Sequence, residues 1–184
     1  MKVRVLRRVD WKSTEENPEP DVSFMPMLAR RRMSMVERAA LHVSWKVFNP
    51  DVPGSVDERL PEMGTVPVVF ASRWGEIGTT LKLMRQFHSD GEMSPAAFSS
   101  SVHNAAPGAW SLFTGNTAPY TAIAARERTY EMGLLEAESL VTAGGAGAVL
   151  FVYAEESTPA YYRGAFKERE HAHAVALLLA SDKG

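Results

Sequence analysis

The chain has 184 residues, of which 45% are hydrophobic and 23% charged, and a formal net charge of −2. That length suits one domain burying about 70% of its unfolded surface, and the nearly balanced charge offers no basic footprint for nucleic acid. There is no cysteine, which excludes disulfides, thiolate metal sites and thiol catalysis. The longest apolar runs, residues 146–154 and 174–180, fall short of the ~20 residues needed to span a bilayer. Residues 1–10 alternate charged and aliphatic side chains, unlike a signal peptide. The expected location is cytoplasmic.

Residues 2–11 alternate Val3 and Val5 with Arg4 and Arg7, the pattern of a half-exposed strand. Residues 13–20 are acidic and proline-bearing, so a loop is expected. Ser34 and Glu37 form a capping-box pair. Val36, Ala39, Ala40, Val43 and Val47 follow at helical spacing until Asn49-Pro50 stops the helix. Residues 51–64, with two prolines and two glycines, read as an irregular connection. Residues 66–72 (VPVVFAS) are continuously apolar, as in a strand covered on both faces. Residues 76–88 predict a helix burying Ile77, Leu81 and Met84, closed at Asp90-Gly91.

The next helix is placed from Asn104 as N-cap to Gly115. Pro107 then falls at the third helical position, where no i−4 carbonyl waits for an N–H. Residues 120–125 predict a strand. Thr129 predicts the cap of a helix presenting Tyr130, Leu134, Ala137 and Val141, stopped by Gly144-Gly145. Strands at 148–153 and 172–181 follow, joined through 161–170. The order β-α-β-α-α-β-α-β-β predicts a layered α/β sheet in a single domain, residues 1–184.

Residues 98–137 carry a resemblance. Asn104-Ala105-Ala106-Pro107-Gly108, the turn Gly115-Asn116-Thr117-Ala118-Pro119 and the apolar Thr121-Ala122-Ile123-Ala124 resemble the N-terminal half of β-ketoacyl synthases. In that family an N-M-x-A-G run, a helix, G-x-x-G-P, a strand and a T-A-C corner occur in this order, and the corner Cys is acylated. From Gly108 to Pro119 the spacing needs no gap, and the same register puts Glu127 where the Cys would stand. The detailed likeness covers about forty residues, with looser correspondence over 66–182. More narrowly, the chain is similar to short synthase-like subunits of aryl-polyene-type clusters, regarded as chain-length-factor partners of a true ketosynthase. The resemblance implies a thiolase-like α/β fold, one half of the condensing-enzyme fold with a layered mixed sheet and helices.

Glu127 reads in two ways. It is either a carboxylate in place of the acylated thiol or a salt-bridged corner residue, and Arg126 and Arg128 beside it favour the charged form. Neither permits an acyl-enzyme by the ketosynthase route. His103 reads as a cap, interface or ligand-facing residue. His171 and His173 lack a third ligand at suitable spacing, so no metal site is expected. Ser99-Ser100-Ser101 reads as a polar turn, because a G-x-S-x-G elbow is absent. Gly144 to Gly147 closes a helix instead of opening one, so it is no phosphate loop. Arg30-Arg31-Arg32 is either a solvated turn or a contact for an acidic carrier protein.

Trp110 and Phe113 lie on the helix that lines the acyl tunnel in the resembled family, although core packing explains them equally. By the same resemblance Asn104, Ala106, Gly108, Tyr120, Thr121 and Ile123 join them and His103 as tunnel or interface positions. An apolar edge strand at 120–125 also needs a partner on physical grounds.

The expected function is that of a non-catalytic chain-length-factor-like subunit. It would form a heterodimer with an active β-ketoacyl synthase, served by an acyl carrier protein bearing a thioester-bound acyl chain. No cofactor, nucleic acid or membrane span is expected. The alternative is a carrier-protein-dependent decarboxylase or thioesterase-like enzyme using Glu127.

Overall fold

The computed structural model describes residues 2–50, 60–162, 164 and 171–182. Along these the chain runs β1 (Val3–Lys12), α1 (Met27–Arg30), α2 (Met35–Phe48), β2 (Val68–Ala71), α3 (Ile77–Asp90), α4 (Pro95–Ser99), α5 (Ala105–Thr114), β3 (Tyr120–Ile123), α6 (Thr129–Thr142), β4 (Ala148–Glu155) and β5 (His173–Ser181). Most of the expected connection 51–64 lies outside the described residues, as does most of 161–170.

The strands form one mixed sheet in the order β1-β5-β4-β2-β3. The strands β2, β3 and β4 run parallel, while β5 is antiparallel to both β4 and β1. All four residues of β2 are buried, as continuous apolar patterning predicts for a central strand with both faces covered. On one face Val68, Phe70, Leu150, Val152 and Leu178 pack against Val36, Ala39, Ala40, Val43 and Val47 of α2, with Ala106 and Trp110 of α5. On the other, Val69, Ala71, Val149, Phe151, Leu177 and Leu179 meet Ala137 and Val141 of α6. Each fully buried side chain of this size contributes ~1.5–3 kcal/mol. The result is helices on both faces of a sheet, the layered mixed α/β arrangement expected.

Gly133 explains how closely α6 approaches. A Cβ there would lie 2.7 Å from Ala71 Cβ and 2.8 Å from Phe151 Cε2, so the helix seats on the sheet through a residue without a side chain.

The capping box forms as its sequence predicts: Ser34 Oγ accepts from Glu37 N–H at 3.0 Å, and Glu37 Oε2 accepts from Ser34 N–H at 2.8 Å. Four local expectations need correction. In α3 the buried residue is Leu83, while Ile77 and Leu81 are half-buried and Met84 is 61% exposed. This helix is tied down at its start and leans on α4, so its later turns face outward. A short helix, α4, takes in Ser99, the first residue of the serine run. Its Ser94 cap and Pro95 at the first turn are ordinary start signals, and Ser100 and Ser101 form the turn that follows.

Asn104 flanks α5 as expected but makes no side-chain cap bond, because its amide donates to Tyr120 Oη at 3.2 Å. Thr129 is the first residue of α6 instead of its cap. The helix ends at Thr142, with Ala143 between it and the glycine pair, and Ala146 N–H returns to Leu140 O at 3.1 Å.

Candidate functional site

The corner between β3 and α6 is a single 3-10 turn, Arg126–Arg128. Arg126 has φ 53, a left-handed conformation that costs a non-glycine residue roughly 1–2 kcal/mol. Thr129 holds it there. Its hydroxyl donates to Arg126 O at 2.7 Å and accepts from Ala125 N–H at 2.9 Å, and Arg128 N–H donates to Ala125 O at 3.0 Å. The sharp bend aims residue 127 away from the core.

Glu127 therefore projects outward, its side chain 72% exposed. Its Oε1 lies 2.8 Å from Nη2 of Arg73, a far less exposed group at the end of β2. The carboxyl sits below the usual carboxylate range, first because its own backbone N–H donates to it and then because of Arg73, with Arg126 adding less. An ionised, exposed carboxylate of this kind can neither donate a proton at neutral pH nor be acylated as a thiol is. The counter-ion, Arg73, comes from the next strand instead of from the flanking arginines.

Arg73 is itself positioned from below. The guanidinium lies 4.7 Å from the Trp74 ring centre, and its backbone N–H donates to Glu155 Oε1 at 2.5 Å. Glu155, buried at the end of β4, also accepts from Ser72 Oγ at 3.3 Å, and Ser72 Oγ accepts from Gly75 N–H at 2.8 Å. The chain leaving β2 is thus wound around a buried carboxylate.

His103 closes the same loop from α5. Its Nε2 faces Ser72 O at 2.7 Å, and since a carbonyl only accepts, Nε2 carries the hydrogen. The ring meets Phe70 edge-on at 5.9 Å and fills the space over Gly75, where a Cβ would come within 2.9 Å of it. No hydrogen bond joins His103 to Glu127. The two are anchored on neighbouring residues of one loop, Ser72 and Arg73.

Behind this loop lies a second acidic group. Glu76 Oε1 accepts from Ser34 Oγ at 2.9 Å and Oε2 from Thr79 Oγ1 at 3.3 Å. Glu156 Oε1 accepts from Gly78 N–H at 2.6 Å. Burial, then the neighbouring charges of Glu37 and Glu156, push the Glu76 carboxyl up to about 8. Burial also raises Glu37 and Glu156.

The other sequence-selected residues divide. Ala106 and Trp110 are core residues, with Trp110 6.2 Å from the Phe48 ring. Phe113 packs against Phe24 and Trp45 at 5.5 and 5.6 Å. At Gly108 a Cβ would lie 3.9 Å from Tyr120 Oη, an ordinary contact, so the packing of α5 beside Tyr120 does not require a glycine there. Tyr120 and Thr121 are exposed and Ile123 half-buried. Val68 N–H and Ser72 N–H donate to Pro119 O and Ile123 O. By the two-residue alternation of strands, the backbone groups of Tyr120 and Ala122 point to the opposite, open edge.

His173 begins β5, whereas His171 lies before it, so the two share no strand face. Among the described residues no group of three or more His, Asp or Glu could hold a metal ion, and no helix is long and apolar enough to cross a membrane.

Sequence reasoning missed Arg73, Glu76, Glu155 and Glu156. A usable signal was present for three of them: Arg73, Glu155 and Glu156 stand at or just past the end of an apolar strand, where a parallel sheet collects its polar ends, whereas Glu76 opens α3.

Known proteins can be set beside this geometry. The ketosynthase ApeO in complex with its chain length factor ApeC from Xenorhabdus doucetiae gives a TM-score of 0.79 at 21% identity, over 100% of this chain and 81% of that one. The ishigamide ketosynthase/chain length factor gives 0.70 at 16% identity, over 83% and 45%. A type II polyketide synthase acyl-carrier protein in complex with its ketosynthase, AntDE:AntF, gives 0.68 at 15%, over 88% and 51%. The chain thus spans about half the length of the last two. At these identities the likeness is one of fold, and it agrees with the thiolase-like expectation. No curated protein matches the chain. The family model for the β-ketoacyl synthase N-terminal domain matches residues 7–184, further toward the N-terminus than the looser correspondence over 66–182. The chain belongs to the β-ketoacyl synthase N-terminal domain family.

Proposed function

We propose that this chain is a non-catalytic, chain-length-factor-like subunit that forms a heterodimer with an active β-ketoacyl synthase. The observation that carries the reading is the corner itself. The position expected to hold the acylated thiol is an ionised glutamate paired with Arg73, in a chain without cysteine. A carrier protein would bring the thioester-bound acyl chain to the partner's cysteine.

Pairing would use the open edge of β3 and the adjoining α5. The edge presents the outward backbone groups of Tyr120 and Ala122, and such a row invites a further strand. Tyr120 accepts from Asn104 at the start of α5, and Val102 and Phe98, just before that helix in the chain, are also exposed apolar residues. Two similar structures are named as ketosynthase and chain length factor assemblies, which supports an analogous partner here. His103, Asn104, Gly108, Tyr120, Thr121 and Ile123 are the proposed interface residues. Phe113, at the surface side of α5, is the better candidate for shaping an acyl tunnel. Ala106 and Trp110, deep in the core, would act through it.

Co-expression with the ketosynthase of the same gene cluster tests this reading. A stable complex, and a product length altered by Phe113→Ala, are expected. Absence of any complex contradicts it. Turnover of a carrier-bound malonyl or acyl thioester by the isolated chain, lost in Glu127→Ala, would instead favour the decarboxylase or thioesterase-like alternative.

A further inference from the structure

The start of α3 gathers three carboxyl groups from three parts of the chain. Glu76 precedes the helix, Glu37 comes from the first turn of α2, and Glu156 lies just past β4. Glu37 and Glu76 are buried and hang on one residue, since Ser34 N–H donates to the first and Ser34 Oγ to the second. Glu156 takes the N–H of Gly78 and lies so close over it that a Cβ there would come within 2.9 Å of its Oε2. Among the described residues, the donors to these carboxyls are all neutral, with the Thr79 hydroxyl completing the set. None of the three is ion-paired. Lys82, one turn further along α3, exerts its charge on Glu156, and Glu155 opposes it there.

Beyond this tie α3 has little to hold it. Leu83 is its buried residue, α4 is its chief neighbour, and residues 84–90 are all exposed. A helix of 14 residues is marginal in water without tertiary packing. The five residues of α4 bring no buried side chain to its aid. Segments with so few buried contacts open at the low end of a protein's range of local stabilities, whereas a sheet covered on both faces opens at the high end.

We propose that α3 and α4 form a pH-operated flap: loss of the Glu76 proton sets its carboxylate against Glu37 and Glu156, frees the start of α3, and lets residues 77–99 open while the sheet and the other helices stay folded. In the closed form a charged Glu76 meets two hydroxyls and two acidic neighbours; in the open form it meets water. The closed form holds this proton up to about 8, against 4.5 in water. Opening therefore grows as pH rises between those values and is level outside them. The isolated chain carries the whole device, so it stands or falls separately from pairing with a ketosynthase.

Amide exchange of the full chain at about pH 6 and about pH 8, expressed as protection factors so that the intrinsic pH dependence of exchange cancels, tests the proposal. Amides of residues 81–90 should be at least about tenfold less protected than those of β4 at both values, the mark of an opening of their own. Their protection should drop at least about tenfold from the lower pH to the higher. Glu76→Gln should cut that drop to under about twofold. Glu37→Gln, which keeps the capping box, should cut it in part and serves as the second variant should the first disturb folding. A wild-type chain without the drop overturns the proposal. So does a drop that both variants leave intact, or protection in α3 equal to that in β4.

Discussion

The Arg73 guanidinium lies 2.8 Å from the Glu127 carboxylate, so a cation from the end of β2 holds an anion at the corner of β3 and α6. The pair is a contact between the ends of two neighbouring parallel strands. Exposure limits its strength, which makes the first prediction simple. Glu127→Gln should shift the thermal midpoint by no more than about 2 °C and leave both partner binding and product length unchanged. Loss of product on this substitution would mean that the carboxylate takes part in the chemistry.

Gly133 makes a sharper demand. An added methyl would meet Ala71 and Phe151 at under 3 Å, so α6 would have to lift off the sheet. Gly133→Ala should destabilise the chain by about 1–3 kcal/mol, read as a lower denaturant midpoint with an unchanged slope. A neutral or stabilising effect would contradict the packing.

The carboxyl cluster at the start of α3 predicts a pH dependence. An unfolded Glu76 releases its proton near 4.5, and the folded residue holds it to about 8. Between those values the folded state binds more protons, so stability falls as pH rises and levels off above about 8. Glu37 and Glu156 add in the same direction. At pH 7 the Glu76 contribution is on the order of 3 kcal/mol. Glu76→Gln keeps a polar group that Ser34 and Thr79 can meet, so it should raise stability at pH 7 and flatten the decline. A wild-type chain more stable at pH 8 than at pH 5.5 would contradict this sign.

Much of the architecture was legible because local and global signals agree. The Ser34–Glu37 box, the apolar run of β2 and the helical spacing of α2 each dictate one element, and each forms. The failures have one physical origin. Met84 reads as an inward position by periodicity, but periodicity cannot tell that α3 is held at its start, by Glu76 to Ser34 and Gly78 to Glu156, and then leans on α4. Likewise Asn104 and Thr129 carry cap chemistry, yet Tyr120 and the strained Arg126 compete for their side chains. Glu127 was legible as a salt-bridged residue, but Arg73 was not legible as its partner, because the two lie 54 positions apart and meet only when β2 and β3 pair. The buried carboxyls were hidden for the same reason.

His103 offers a test of how α5 is seated. His103→Ala removes the bond to Ser72 O and the ring over Gly75, leaving a buried carbonyl short of a donor. The expected loss is ~1–3 kcal/mol, together with faster amide exchange in the loop of residues 72–76. If exchange there is unchanged, His103 does not hold the loop.

The most direct test concerns the open edge of β3. Ala122 points its backbone N–H away from β2, so Ala122→Pro removes a donor only from the outer side, where edge strands tolerate proline. Co-purification of the wild-type chain and of Ala122→Pro with the cluster ketosynthase, alongside thermal melts of both, is the decisive measurement. The account predicts a stable complex for the wild type, and a complex lost or weakened at least about tenfold in the variant while its fold is retained. An Ala122→Pro chain that folds and still binds the ketosynthase with full affinity would contradict it.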